Sequence, residues 1–217
     1  MDREERARRQ LEILLEHYPA LGTVSGQIWE AYQILRDSYD RDGKLLVCGN
    51  GGSCADAEHI VGELMKGFCR KRKIDSTLRE RLLEIDAADG LRLAENLEQG
   101  LPAIALTAQT GLSTAFANDK DPLMTFAQQV LGYGKPGDVL LGITTSGNSQ
   151  NVLYALEVAA ALEIRTIVLT GKDGGRAAKR ADCAIIVPSM ETYRIQEYHL
   201  PVYHALCLML EDTYFEE

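Results

Sequence analysis

The chain has 217 residues, 46% of them hydrophobic and 25% charged, which is ordinary usage for one α/β domain and excludes a disordered or disulfide-scaffold protein. The 32 acidic residues outnumber the 23 basic ones, and a formal net charge of −9 argues against nucleic acid as a partner. We find no apolar stretch that could span a membrane and no signal-peptide pattern, and the five cysteines have no C-x-x-C spacing. We therefore expect a cytoplasmic protein with reduced thiols.

The predicted elements begin with N-terminal helices within residues 1–42, since apolar positions recur at helical spacing over 2–18 and 24–39. Strands and helices then alternate, which predicts an α/β fold of one domain over 1–217, with a doubly wound parallel sheet of five strands. The predicted strands are Lys44–Cys48, Ala103–Leu106, Asp138–Thr144, Arg165–Leu169 and Cys183–Val187. The predicted helices are 53–68, 121–131, 149–162, 174–180 and 192–214.

The segment 71–99 interrupts this alternation. It carries 13 charged residues in 29, with leucines at helical spacing, and is predicted to be a helical insertion. Two interpretations stay open: a lid over the site, or a solvated helical hairpin that packs on a neighbouring subunit. The basic run 66–73 just before and within it is interpreted as a solvated face or a subunit contact rather than a DNA-binding patch.

A glycine-rich turn follows the first predicted strand and contains Asn50, Gly51, Gly52 and Ser53. Its glycines allow a tight turn and a close approach of the backbone to a ligand, and Ser53 is predicted to cap the next helix. An ordinary strand-to-helix turn would have the same composition, so this motif alone decides nothing.

A second polar turn follows the third predicted strand and carries the hydroxyls of Thr144, Thr145, Ser146 and Ser149. Hydroxyls and first-turn amides can donate hydrogen bonds to phosphate oxygens. Neither turn has the lysine of a P-loop or the G-x-G-x-x-G of a dinucleotide fold. Two such turns at the carboxyl ends of parallel strands predict a crevice for a phosphorylated ligand.

Four side chains are candidates for chemistry. His59 and Glu63 share one face of a predicted helix, and Gln196 and His204 lie two turns apart on the closing helix, with His199 pointing elsewhere. Together they suit a zinc-like ion, and equally proton transfer between a carboxylate and an imidazole. The alternative is that the two helices never touch. Pro201, between Gln196 and His204, is expected to kink the closing helix.

In order along the chain, the motifs GNGGS, AEHIVGEL, Asn118-Asp119, TTSGNS, LTGKDGG and RIQEYHLPVYH resemble the sugar isomerase (SIS) domain, and more narrowly the phosphoheptose isomerases. The resemblance covers about residues 24 to 215 apart from 71–99. It implies a flavodoxin-like fold, a homotetramer with active sites between subunits, and isomerisation of sedoheptulose 7-phosphate to glycero-manno-heptose 7-phosphate through an enediol.

The resemblance also implies residue roles. Asn50 to Ser53 would bind substrate, the hydroxyls of the second turn would bind phosphate, and Asn118 and Asp119 would make a further substrate contact. His59, Glu63, Gln196 and His204 match zinc ligands, and Glu63 and His204 match the pair that transfers the proton.

Two expectations stay open beside these roles. Without the family, Asn118 and Asp119 would be predicted as turn residues before a helix. A non-catalytic SIS protein, either a sugar-phosphate sensor or a partner of the bacterial replication initiator, is the alternative function, and His204 favours the enzyme.

Overall fold

A five-stranded parallel sheet organises the computed structural model, which describes residues 2–215. Its strands are β1 Leu45–Gly49, β2 Ala103–Ala105, β3 Val139–Thr144, β4 Arg165–Thr170 and β5 Cys183–Ile186. Their spatial order is β2-β1-β3-β4-β5 and every pairing is parallel. This order is that of the flavodoxin-like doubly wound fold, so the predicted fold class is confirmed.

Ten α-helices surround the sheet within the described residues. They are α1 Arg3–His17, α2 Ser25–Tyr39, α3 Gly52–Met65, α4 Ser76–Ile85, α5 Ala87–Asn96, α6 Thr110–Asp119, α7 Thr125–Tyr133, α8 Gln150–Ala161, α9 Gly175–Ala178 and α10 Thr192–Tyr214. Short 3₁₀ turns occupy Pro19–Val24 and Pro122–Met124. No helix in residues 2–215 combines the length and the apolar character needed to cross a bilayer.

Helices cover both faces of the sheet. Successive residues of a strand point to opposite faces, so each strand contributes to two cores. Leu45 and Val47 of β1 join the core formed with α1, α2, α3 and α10. Leu46 and Cys48 of the same strand join the core formed with α7 and α8. Helix α10 continues through Pro201 without a break, and it packs on α3 as well as on α1. This packing brings the residues of the closing helix beside those of α3.

The segment 71–99 forms the predicted helical insertion, which is a hairpin of α4 and α5. Its base closes where Lys73 and Glu98 pair as antiparallel neighbours and the Gln99 amide donates to the Arg72 carbonyl over 2.7 Å. Within the hairpin helices, all of which the structure describes, only Gly90 is buried. Leu78, Leu91, Leu93 and Leu97 are each between 41% and 47% exposed.

The interpretation of the basic run 66–73 as a solvated face or subunit contact is wrong for Arg72. Its side chain is fully buried inside this chain and forms an ion pair with Glu211 near the end of α10. Arg70 in the same run pairs with Asp212 over 2.7 Å. Both guanidinium groups therefore anchor the run to α10.

Candidate functional site

The two polar turns meet where the strand order reverses. Gly49 at the end of β1 is aligned with Ile143 near the end of β3, so the turns after these strands leave the sheet side by side. The side-chain amides of Asn50 and Asn151 exchange two hydrogen bonds of 2.9 and 2.8 Å and join the first turn to the start of α8. Doubly wound folds bind ligands at this position of the sheet.

The first turn places a glycine, not a serine, at the start of α3. Gly51 is the N-cap residue with φ of +58°, and Gly52 begins the helix. The prediction that Ser53 caps α3 is wrong, because Ser53 is already helical and buried. A Cβ atom on Gly52 would collide with the side-chain amide of Gln196, so this glycine lets α10 approach the turn closely.

The second turn gathers its hydroxyls at the N-terminus of α8. Thr144 Oγ1 and Ser149 Oγ lie 3.0 Å apart, and the Asn148 amide donates to Ser146 Oγ over 3.2 Å. Gly147 has φ of +66°, and a Cβ there would collide with the Gly174 carbonyl behind the turn. Hydroxyls gathered at a helix N-terminus, beside its unpaired amides, form an arrangement that can bind an anion.

Asn118 and Asp119 do not lie in a turn before a helix, so the prediction made without the family is wrong. They are the last two residues of α6, exposed, with Asn118 Nδ2 donating to Asp119 Oδ1 over 2.9 Å. Sequence reasoning missed α6 altogether.

The predicted face of α3 carries a contact between His59 and Glu63. Nε2 of His59 lies 3.3 Å from Glu63 Oε1, and Lys66 Nζ lies 2.9 Å from the other carboxylate oxygen. The ring of His204 on α10 lies 5.0 Å from the His59 ring, edge to face. Helices α3 and α10 therefore bring two imidazoles and one carboxylate together.

His204 is held in an apolar setting. Phe68 and Tyr203 flank its ring at centroid distances of 5.3 and 5.0 Å. Burial lowers its pKa, His59 lowers it further, and the Glu63 carboxylate opposes the shift. Nε2 of His204 is buried and has no hydrogen-bond partner within residues 2–215. Both ring nitrogens of His199 are likewise buried without a partner among the described residues, so it is the nearby His59 and Glu63 that make His204 a candidate ligand or catalytic group.

Comparison with known proteins identifies the family of this chain. A family model described as the SIS domain matches residues 114–210, and a second SIS domain model matches residues 20–98. A phosphoheptose isomerase of Nitratiruptor sp. is 39% identical over 205 residues, which cover 93% of this chain and 96% of the relative. This chain belongs to the phosphoheptose isomerase family.

Solved structures agree with this membership of the phosphoheptose isomerase family. The chain is similar to a phosphoheptose isomerase from Francisella tularensis, with a TM-score of 0.73, 30% identity and coverage of 97% of this chain and 98% of that one. It is also similar to one from Neisseria gonorrhoeae, with a TM-score of 0.67, 34% identity and coverage of 93% and 89%. The resemblance read from the motifs is thereby confirmed.

Three of the four zinc ligands that the phosphoheptose isomerase resemblance implies lie together. Gln196 lies apart from them, because its amide rests on Gly52, seven residues before His59 on α3 and so about 10 Å along the helix axis. In the described part of the chain no group of three or more His, Cys, Asp or Glu side chains is spaced to hold a metal ion. The chemistry of the donors fits zinc, and the unpartnered His204 Nε2 is the atom that such an ion would satisfy.

Sequence reasoning about this phosphoheptose isomerase relative missed Tyr203 and Asp56. The Tyr203 hydroxyl lies 3.0 Å from His59 Nδ1 and donates to Asp56 Oδ1 over 3.4 Å. The signal was available, since Tyr203 directly precedes His204 and Asp56 lies one turn before His59 on α3. His199 belongs to the core instead, where burial lowers its pKa to about 4.

Proposed function

We propose that the chain interconverts a ketose phosphate and an aldose phosphate, namely sedoheptulose 7-phosphate and glycero-manno-heptose 7-phosphate. The observation that carries this proposal is the meeting of Glu63, His59 and His204 at the α3–α10 contact in a member of the phosphoheptose isomerase family. The reaction removes a proton beside a carbonyl and returns it one carbon away through an enediol. The reaction needs a base, an acid at the carbonyl oxygen and groups that bind and position the substrate.

Glu63 is assigned the role of base and His204 that of acid. The Glu63 side chain is 13% exposed, with Lys66 Nζ 2.9 Å from one carboxylate oxygen and His59 Nε2 3.3 Å from the other. His204 has a lowered pKa and therefore enters the reaction as a neutral imidazole, which can donate one N–H to the carbonyl oxygen and recover it afterwards.

The two turns are assigned to the substrate. Thr144, Thr145, Ser146 and Ser149, with the first amides of α8, would hold the phosphate. The first turn and Gln196 would contact the sugar, and Asn118 and Asp119 would make the further contact that the family implies. Holding the phosphate fixes the position of the reacting carbons relative to Glu63 and His204.

Zinc is part of the proposal. His59, Glu63 and His204 would hold it, and Gln196 would join only if its amide left Gly52. When bound, zinc would polarise the carbonyl and hydroxyl oxygens of the sugar. A Glu63 carboxylate engaged by zinc is a weaker base, so a metal-free protein that still turns over would assign Glu63 to proton transfer alone.

We also propose an active site shared between subunits of a homotetramer in the cytoplasm. Glu63 lies ten positions after Ser53 on α3, about 15 Å along the helix axis, so the Glu63–His204 pair is distant from the first turn of the same chain. His204 lines a cavity of about 190 Å³ between α1 and α10, beside the exposed Leu200. A neighbouring copy on this surface would bring phosphate-binding turns and the Glu63–His204 pair together.

The deciding experiment incubates purified protein with sedoheptulose 7-phosphate and follows aldose formation, with added zinc and with a chelator. We expect turnover, and a loss of at least about 100-fold in Glu63→Gln, because removing a general base costs about that much. Glu58→Gln, on another face of α3, is the matched control and should keep its rate.

Absence of turnover by the unaltered protein under both conditions would reject the isomerase assignment for this sugar. If the phosphorylated sugar still bound, the protein would be a sensor instead. Circular dichroism of both variants confirms that a lost rate is not a lost fold.

A further inference from the structure

The ring of His59 has a polar neighbour at each of its two nitrogens. Nε2 faces Glu63 Oε1 at 3.3 Å, and Nδ1 faces the Tyr203 hydroxyl at 3.0 Å. The Tyr203 and His59 rings also meet edge to face, with centroids 5.5 Å apart. The orientation of the imidazole is therefore set by α10 as well as by its own helix.

The direction of these hydrogen bonds follows from Asp56. A carboxylate only accepts hydrogen bonds, so the single proton of the Tyr203 hydroxyl is directed to Asp56 Oδ1, 3.4 Å away. The hydroxyl oxygen is then left to accept from Nδ1 at 3.0 Å. The Glu63 carboxylate at Nε2 also only accepts, but its contact is longer, at 3.3 Å, and a neutral imidazole carries a single hydrogen, so we place that hydrogen on Nδ1. Tyr203 is only 2% exposed, so its hydroxyl is largely shielded from water.

We propose that Asp56 and Tyr203 are positioning residues that fix His59 in the tautomer protonated on Nδ1, with the lone pair of Nε2 directed at Glu63. In consequence two electron-rich atoms, Nε2 and Oε1, face each other at 3.3 Å and attract a cation between them. Asp56 and Tyr203 would affect catalysis only through His59, and that catalytic effect rests on the proposed function.

Apart from catalysis, this arrangement has a direct effect on metal affinity. An imidazole that binds a metal through one nitrogen usually donates its other N–H to an outer partner, and loss of that partner weakens metal binding by about 10- to 100-fold. Tyr203 supplies such a partner to His59, and Asp56 sets the polarity of Tyr203. Tyr203 and Asp56 thus keep Nε2 unprotonated and free to bind a metal even in the metal-free protein.

The test reads the tautomer directly in chelator-treated protein. Long-range ¹H–¹⁵N spectra distinguish the two neutral imidazole forms at alkaline pH, and the chain has four histidines, so loss of one signal set in His59→Asn assigns the residue. We expect His59 in the unaltered protein to carry its hydrogen on Nδ1. Asp56→Ala should reverse the tautomer, because the released hydroxyl then donates to Nδ1, and Tyr203→Phe should give a mixture.

Tyr198→Phe is the matched control, since this half-buried tyrosine lies on the same helix and packs against the core. It should leave the His59 signals unchanged. Zinc competition against a chromophoric chelator should show about 10- to 100-fold weaker binding in Tyr203→Phe than in Tyr198→Phe.

A hydrogen on Nε2 in the unaltered protein would overturn the proposal. His59 signals that are unchanged in both Asp56→Ala and Tyr203→Phe would also overturn it. The spectrum of the unaltered protein reports the His59 tautomer and so tests the proposal even if a variant fails to fold. Because the tautomer is read without substrate, a protein with the expected tautomer but no isomerase activity would reject only the proposed function.

Discussion

Arg72 and Glu211 form an ion pair from which water is wholly excluded, with both side chains 0% exposed and Nε and Nη2 each 2.9 Å from Oε1. The guanidinium also donates to the Leu64 carbonyl over 2.6 Å, and Glu211 accepts from the amides of Phe68 and Cys69 over 2.8 Å. The pair therefore fastens the chain after α3 to the end of α10. It holds together the two helices that carry Glu63 and His204.

Neutralising one partner of this pair should be strongly destabilising. Glu211→Gln leaves the buried Arg72 cation without a counter-charge, and we expect a loss of about 3 to 5 kcal/mol in the free energy of unfolding. Urea denaturation measures it. Glu12→Gln, which removes an exposed partner of Arg9 on α1, is the control and should cost less than about 1 kcal/mol. Equal effects of the two changes would mean that the buried pair does not hold α3 to α10.

Ser149→Ala tests the phosphate-binding turn. The change removes a hydroxyl that lies 3.0 Å from Thr144 Oγ1 on the N-cap residue of α8. A hydrogen bond to a charged group contributes about 1.5 to 3 kcal/mol, so we expect KM for sedoheptulose 7-phosphate to rise about 10- to 100-fold with a smaller change in kcat.

Two comparisons make that result specific. Thr23→Ala, an exposed hydroxyl on the 3₁₀ turn before α2, should leave KM unchanged. Sedoheptulose without phosphate should bind Ser149→Ala and the unaltered protein equally well. An equal loss for both sugars would place Ser149 outside the phosphate site.

The strands were predictable because each is a short apolar run, and the central strands β1 and β3 are buried on both faces. A short apolar run is visible in the local sequence without knowledge of distant contacts. Helix α6 was not, because TGLSTAFAND contains threonine, glycine, serine and asparagine, which are poor helix formers, and none of its residues is buried. The local pattern predicts a solvated face or a subunit contact for Arg72 because its partner Glu211 lies 139 residues further along the chain. A local pattern does not contain such a pairing.

The same division applies to the site. The contact between His59 and Glu63 follows from helical spacing alone. The approach of His204 depends on how α10 packs on α3, and spacing could not decide it. The position of Gln196 against Gly52 likewise depends on that packing, although both residues lie in motifs that the sequence singled out.

Stability should fall as the pH is lowered, because of His199. Burial lowers its pKa to about 4, against an ordinary value of about 6.5 in the unfolded chain. Between these values the unfolded state binds the extra proton, so the stabilisation by neutral His199 is present above the unfolded pKa and is lost as the pH falls. We expect this residue to account for about 2 kcal/mol of lost stability between about pH 7 and pH 5.

Urea denaturation of chelator-treated protein at the two pH values measures that loss. His199→Gln should reduce the pH dependence by about this amount, whatever its effect on stability at neutral pH. His17→Gln, on the exposed end of α1, is the control and should retain the full dependence. If the unfolding free energy of His199→Gln still depended steeply on pH, other titratable groups would account for the loss.

The α4–α5 hairpin should be removable without unfolding the rest of the chain. Lys73 and Glu98 are already antiparallel neighbours, so a two-residue Asn-Gly turn in place of residues 75–96 would close the gap between Ile74 and Leu97. The helices bury Gly90 alone, where α5 crosses the Leu82 carbonyl, so little apolar burial is lost with them. The shorter connection also lowers the entropy cost of closing the loop. We therefore expect urea denaturation to show a change in unfolding free energy within about 1 kcal/mol, and a loss of several kcal/mol would mean that the hairpin packs on the body of the protein.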